Sequence, residues 1–299
     1  MPKAAKINKS QLSLYLQLGK FRLCLLVLFT TLIGYALGVS QFYPLEIFAL
    51  LAGTLLAAMG ANGLNQWWEQ ARDGLMARTR NRPLPSGRMS SIHALTTTLL
   101  WSSSGVMILY WMVNPLTAYL ALATLVSYLF IYTPLKPYSS LAVLAGAVPG
   151  AIPPMMGWTA ATNQFGVEAW VLACLLFLWQ IPHFMSLAAI YRQDYANGGY
   201  RLLPDNPETD KATRSIIVVF SVALLGISLL IPAVGLGEHL IFIAALFLGL
   251  SLLWLSMKLY KQYSVKNARR VFLASIMYLP IIMTLLVVDE RLVSPYWSF

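Results

Sequence analysis

Asn65, Glu69 and Asp73 lie four residues apart in the segment NQWWEQARDGLMARTRNRPLPSG at 65–87. On a helix each such step turns the chain by only about 40°, so one face carries an amide and two carboxylates. Like charges at this spacing repel by roughly 0.2–0.5 kcal/mol, and a shared cation relieves them. A sparse, oxygen-only donor set suits Mg²⁺, which keeps several waters and completes its shell with substrate phosphate oxygens. A Mg²⁺-bridged diphosphate is the natural candidate. Arg78 and Arg82 follow at the same helical spacing, with Arg80 between them. Guanidinium forks match phosphate or carboxylate oxygens two at a time, so a diphosphate or a ligand's propionates would satisfy them. Taken singly, each arginine reads more readily as a marker of membrane orientation with Glu69 or Asp73 paired to it. Three polar groups together at a membrane boundary favour a functional reading, because ionisable groups at that depth are costly. Pro83 and Pro85 then stop the helix.

A second polar group occupies FLWQIPHFMSLAAIYRQDYANGGYRLLP at 177–204. Gln180 and His183 fall in its apolar part, beside Pro182, which loosens the local backbone ladder. His183 is expected to face a cavity, with ligand contact, proton acceptance and packing all open. Asp194 is a candidate second ligand to the metal or to a phosphate-bound water, with Tyr191, Arg192 and Tyr195 around it. Gly198-Gly199 permits a tight turn whose N–H groups approach an anion. Lys136, in YTPLKP at 132–137, serves either as a third phosphate contact or as an interfacial anchor.

The elements that must position these groups follow from composition. Of 299 residues, 58% are hydrophobic and 11% charged, against about a quarter charged in a soluble domain. A water-exposed globule is excluded. Apolar windows of about 20 residues recur near 21–40, 45–64, 92–113, 115–134, 139–161, 167–190, 215–234, 239–257 and 270–288. The expected fold is all-α: nine transmembrane helices bundled around a central cavity that opens to the cytoplasm. The run GAVPGAIPPMMGW at 146–158 should kink the fifth helix and let a neighbour or a bulky ligand approach. Cys24 and Cys174 lie inside apolar runs and give no metal-ligand pair.

Basic residues set the orientation. With a cytoplasmic N-terminus, 20 of the 21 Lys and Arg fall on the cytoplasmic side and only Arg291 opposite. The same partition places Glu46, Glu168, Glu238, Asp289 and Glu290 outside, and the C-terminus with them. The net charge of +10 is then a topogenic signal, and no basic-aromatic soluble module carries nucleic-acid binding. Residues 1–20 read as a cytoplasmic tail and 21–299 as one intramembrane domain. Two long polar loops on the cytoplasmic side, 65–91 and 191–214, would form the mouth of its site.

At these residues the chain resembles the UbiA superfamily of intramembrane prenyltransferases. The first segment matches its N-x-x-x-(D/E)-x-x-x-D signature. The continuation from Met76 to Gly87, with WQIPHF and DY in the second segment and YTPLK, is similar to the heme O synthase branch. Many superfamily members carry D-x-x-x-D at the second site, whereas here Ile190 precedes Asp194 by four residues. The resemblance implies transfer of a farnesyl group from farnesyl diphosphate to a vinyl group of heme b, with water added. It implies Mg²⁺ held by Asn65, Glu69 and Asp73, with Asp194 as the carboxylate carried over at the second site. Arg78, Arg82, Lys136, Arg192 and Tyr191 would bind diphosphate or heme propionates. His183 or Asp194 is the candidate base for the added water, and His183 also a heme contact. A bacterial inner membrane is the expected setting, with heme A synthase or a terminal oxidase as possible recipients of the product. The rival readings are a UbiA-type enzyme acting on a quinone precursor or another aromatic ring, and a transporter. Transport would place polar residues at several mid-membrane levels, whereas the acidic groups here collect at one face.

Overall fold

A computed structural model describes residues 9–203 and 210–293, and every regular element among them is helical. Lys3, Lys6, Trp297 and part of the second polar loop lie outside the described residues. A short helix α1 (Lys9–Leu18) precedes α2 (Phe21–Gly38), α3 (Pro44–Asp73), α4 (Ser91–Met112) and α5 (Pro115–Leu135). Then come α6 (Ala142–Thr162), α7 (Val167–Ile190), the short α8 (Arg192–Asn197), α9 (Lys211–Leu230), α10 (His239–Lys261) and α11 (Val265–Val288).

Eight of these helices, α2 to α5, α7 and α9 to α11, are long and apolar enough to cross a membrane. The sequence gives nine apolar windows; the fifth, at 139–161, corresponds to α6. That helix has 21 residues and no charge, but three internal prolines and several glycines dilute its hydropathy. Its burial marks it as a central element, since Ala147, Ala151, Met155 and Met156 all lie in the core.

Helix starts are written locally. Ser90, Asn114, Asp210 and Ser264 each accept, on a side-chain oxygen, the N–H three residues on, which satisfies an otherwise orphaned donor. Packing between helices relies on small residues, as expected where lipid removes the hydrophobic drive for association. A Cβ on Gly157 of α6 would meet the Thr31 carbonyl of α2, and one on Gly34 of α2 would meet the Pro154 carbonyl of α6. The two backbones are therefore in direct contact. Large apolar side chains such as Leu45, Phe48, Trp111, Phe247 and Trp254 point outward, a surface stable only in lipid.

The bundle has two chemically distinct ends. At one, Tyr35 donates to Glu46, and the fully buried Asp289 accepts the N–H groups of Glu238 and Ile241 at the start of α10. Glu290 accepts from Gly237, and Arg291 donates to the Ala36 and Val39 carbonyls, tying α11 to α2. The other end holds both polar loops.

Candidate active site

At 30 residues, α3 is longer than the roughly 20 needed to span a bilayer. Its surplus turns carry Asn65, Glu69 and Asp73 on one buried face, exposed by 1%, 6% and 1%. Burying carboxylates demands partners, and each polar group has one. Lys136 Nζ bridges both Glu69 oxygens at 2.9 and 3.1 Å. Arg82 Nη1 donates to Asp73 Oδ2 at 2.6 Å. Lys20 Nζ donates to Asn65 Oδ1 at 3.3 Å, while Asn65 Nδ2 donates to Thr133 Oγ1 at 3.0 Å. Three oxygen-bearing side chains thus face three cations drawn from three different parts of the chain.

Local backbone devices place those cations. Pro134 cannot donate to the carbonyl four residues back, and α5 widens by one turn over Ser127–Tyr132. The N–H and hydroxyl of Thr133 both bond the Tyr128 carbonyl, which fixes Thr133 against Asn65 and sends Lys136 to Glu69. Its ammonium also lies 4.3 Å from the centre of the Tyr132 ring. Lys20 sits in the left-handed joint between α1 and α2, at φ 49°. Gln66 of α3 holds that joint by donating to the Gln17 and Leu18 carbonyls at 2.9 and 2.6 Å, closing the end of α1.

Electrostatics separate the two lysines. Burial, with the positive charges of Arg82 and Lys136, lowers the Lys20 pKa to about 7. Burial also disfavours the charged form of Lys136, but Tyr132 and Glu69 outweigh it and hold its pKa well above the ordinary lysine value. Burial, reinforced by Glu69, raises the Tyr200 phenol. Tyr200, Trp68, Arg72, Thr133 and Glu69 border a cleft of about 280 Å³ between α3 and the end of α5.

The two polar loops are sewn together above this face. Asp194 accepts from the Ala77 and Arg78 N–H groups at 2.8 and 3.2 Å. The Arg78 guanidinium lies over the Tyr191 and Tyr195 rings, at 5.3 and 5.4 Å from their centres, and Arg72 donates to the Gly198 and Gly199 carbonyls. Arg192 pairs with Asp210 at 3.0 Å. The structure therefore brings together Asn65, Glu69, Asp73, Arg82 and Lys136. It leaves Arg78, Tyr191 and Asp194 in the loop clasp, and Arg192 beside α9. Among the described residues no three His, Cys, Asp or Glu side chains gather to hold one ion; the α3 set is two carboxylates joined by an amide.

His183 stands apart, in an aromatic cluster against α11. Its ring stacks on Trp179 at 4.8 Å and lies 4.8 Å from Phe272, and Nδ1 meets Ser275 Oγ at 2.9 Å. Three residues at the polar face escape sequence reasoning: Lys20, Thr133 and Tyr200. Lys20 reads as one more tail cation, and only its position directly before an apolar run hints at a boundary role. Thr133 and Tyr200 flank the signals YTPLK and Gly198-Gly199, but their direction depends on the wide turn and the loop clasp.

Comparison with known proteins gives the family and the fold. The UbiA prenyltransferase family profile matches residues 27–280. A protein named protoheme IX farnesyltransferase from Solibacter usitatus is 38% identical over 286 residues, covering 92% of this chain and 98% of that protein. Among solved structures, a digeranylgeranylglyceryl phosphate synthase superposes with a TM-score of 0.79 at 15% identity, over 94% of this chain and 99% of its own. A UbiA homologue from Archaeoglobus fulgidus bound to DMAPP and Mg²⁺ superposes with a TM-score of 0.66 at 10% identity, over 93% and 99%. With the profile spanning most of its length and a relative matched nearly end to end, the chain belongs to the UbiA prenyltransferase family, in its protoheme IX farnesyltransferase branch.

Proposed function

We propose that the protein transfers the farnesyl group of farnesyl diphosphate to a vinyl carbon of heme b, with water completing the new hydroxyl, to give heme O and diphosphate. The observation that carries this reading is the buried row of Asn65, Glu69 and Asp73, opposed by Lys20, Lys136 and Arg82, in a chain of this family.

The donor set fits Mg²⁺: hard oxygens, few in number, with room for waters and phosphate oxygens. Asn65, Glu69 and Asp73 would hold it, and when bound it supplies positive charge to the leaving diphosphate. A UbiA homologue of the same fold has been solved with DMAPP and Mg²⁺ bound, which supports Mg²⁺ as the cofactor. Arg82 and Lys136, now paired to carboxylates, are the groups that would turn to phosphate oxygens as charge develops there, with Lys20 beside them. The apolar helices exclude water from the allylic cation until the vinyl carbon attacks, and the Tyr128 and Tyr132 rings, 5.3 Å apart beside Lys136, offer it π faces.

In the same reading α6 crosses the membrane as the ninth span. The end bearing Asn65 then faces the cytoplasm and the Asp289 end the opposite side. This agrees with the concentration of Lys and Arg at the former. Purified protein given heme b, farnesyl diphosphate and Mg²⁺ in detergent tests the reaction. Heme O should appear as a later-eluting, heavier heme, and chelation of the metal should stop it. Absence of heme O with all three present would reject the reading.

A further inference from the structure

Tyr200 is 7% exposed, yet its hydroxyl reaches no hydrogen-bond partner. Buried tyrosine hydroxyls ordinarily find one, because desolvating a donor without compensation is unfavourable. The ring has little freedom to turn away. Its N–H donates to the Tyr195 carbonyl at 2.9 Å, the turn before it places Gly199 at φ 69°, and the Tyr195 ring meets it edge-on at 6.2 Å. The Arg72 guanidinium lies 5.7 Å from the ring centre while donating to the Gly198 and Gly199 carbonyls of the same turn, and Lys136 Nζ lies 5.8 Å from that centre.

The clamped ring borders the cleft that contains Glu69, Arg72 and Thr133. The Glu69 carboxylate lies close enough to raise the phenol's pKa, but no hydrogen bond of good geometry joins them, and both Glu69 oxygens already accept from Lys136. A neutral phenol offers one O–H donor, and here it is held against a face where cations and oxygen ligands already converge. The partner it lacks is an acceptor brought by a ligand.

We propose that the Tyr200 hydroxyl donates a hydrogen bond to an anionic oxygen of the diphosphate, both in the prenyl substrate and in the departing group. This rests on the function proposed above and adds a binding residue to it. Hydrogen bonds to charged acceptors are about twice as strong as neutral ones, so losing this one should cost roughly tenfold or more in affinity.

The test is Tyr200→Phe in the full-length protein in detergent. Three quantities are measured: binding of inorganic pyrophosphate with Mg²⁺ by titration calorimetry, binding of heme b by absorbance, and the unfolding temperature. Expected are a pyrophosphate affinity at least about tenfold weaker, unchanged heme b binding, and an unfolding temperature equal to or above that of the parent. Stability should not fall, because the hydroxyl removed is unpartnered. Equal pyrophosphate affinity in both proteins overturns the proposal. Weakened heme b binding with intact pyrophosphate binding also overturns it, since the hydroxyl would then serve a propionate. A lower unfolding temperature does the same, by giving the hydroxyl an internal partner. Failure of the parent protein to bind pyrophosphate with Mg²⁺ would instead strike the underlying functional reading.

Discussion

Glu69 and Lys136 form a bidentate pair in which both side chains are almost withdrawn from water, at 6% and 11% exposure. Removing one member of such a pair strands a buried charge, which typically costs about 3–5 kcal/mol, whereas removing both can be nearly neutral. Lys136→Met should therefore lower the unfolding temperature markedly, and the double variant Glu69→Gln, Lys136→Met should recover most of the loss while remaining inactive. Equal stability of all three proteins would mean that the pair is open to solvent. Lys20 carries a different signature. Its pKa falls from an ordinary 10.5 to about 7 on folding. Between those values the unfolded chain binds a proton that the folded chain does not, so stability rises with pH across that window and is lowest below it. Lys20→Met should remove that slope in unfolding measured from pH 7 to pH 10. An anion bound beside Lys20 favours its charged form, so pyrophosphate binding at pH 8 should take up a proton. Titrations in buffers of differing ionisation enthalpy would show it, and Lys20→Met should abolish it. The spacing of Asn65, Glu69 and Asp73 is legible in the sequence because a single helix sets it. Lys20, Tyr200 and the Ser275 partner of His183, 92 residues away, are not, because each contact is made by tertiary packing.

Helices are the part of the fold that hydropathy reads best. The apolar windows coincide with α2 to α5, α7 and α9 to α11, and α3 continues past its window to carry the polar face at helical spacing. The wide turn of α5 is less legible: Pro134 signals a broken ladder, but which carbonyl accepts instead is settled only by Thr133. In α6 the prolines and glycines that lower its hydropathy are also the residues that allow its close approach to α2. That approach is testable at the element scale. Gly157→Ala pushes a methyl group into the Thr31 carbonyl and should cost about 1–3 kcal/mol, as overpacking does. Gly226→Ala, where a Cβ meets open space on α9, should stabilise the fold by about 0.5–1 kcal/mol through helix propensity. Thermal unfolding in one detergent measures both, and a destabilising Gly226→Ala with a neutral Gly157→Ala would contradict the packing described.

Across the whole molecule, charge is sorted to the two ends of the bundle, and a membrane reads that sorting as orientation. A cysteine placed at Arg80, on the exposed loop above the α3 face, should be modified by an impermeant thiol reagent only in inverted vesicles. One at Gly235, on the opposite end, should react only in right-side-out spheroplasts. Reaction of both from one side would overturn the nine-span arrangement. Folding places the polar row where an apolar bundle meets its two longest loops. The decisive question is whether Asn65, Glu69 and Asp73 hold the metal and its diphosphate. Electron paramagnetic resonance of Mn²⁺ supplied with pyrophosphate in place of Mg²⁺ answers it directly. The parent protein should show a saturable bound-metal spectrum that Glu69→Gln and Asp73→Asn each lose while keeping the parent's helical circular dichroism. Undiminished Mn²⁺ binding in both folded variants would contradict the assignment.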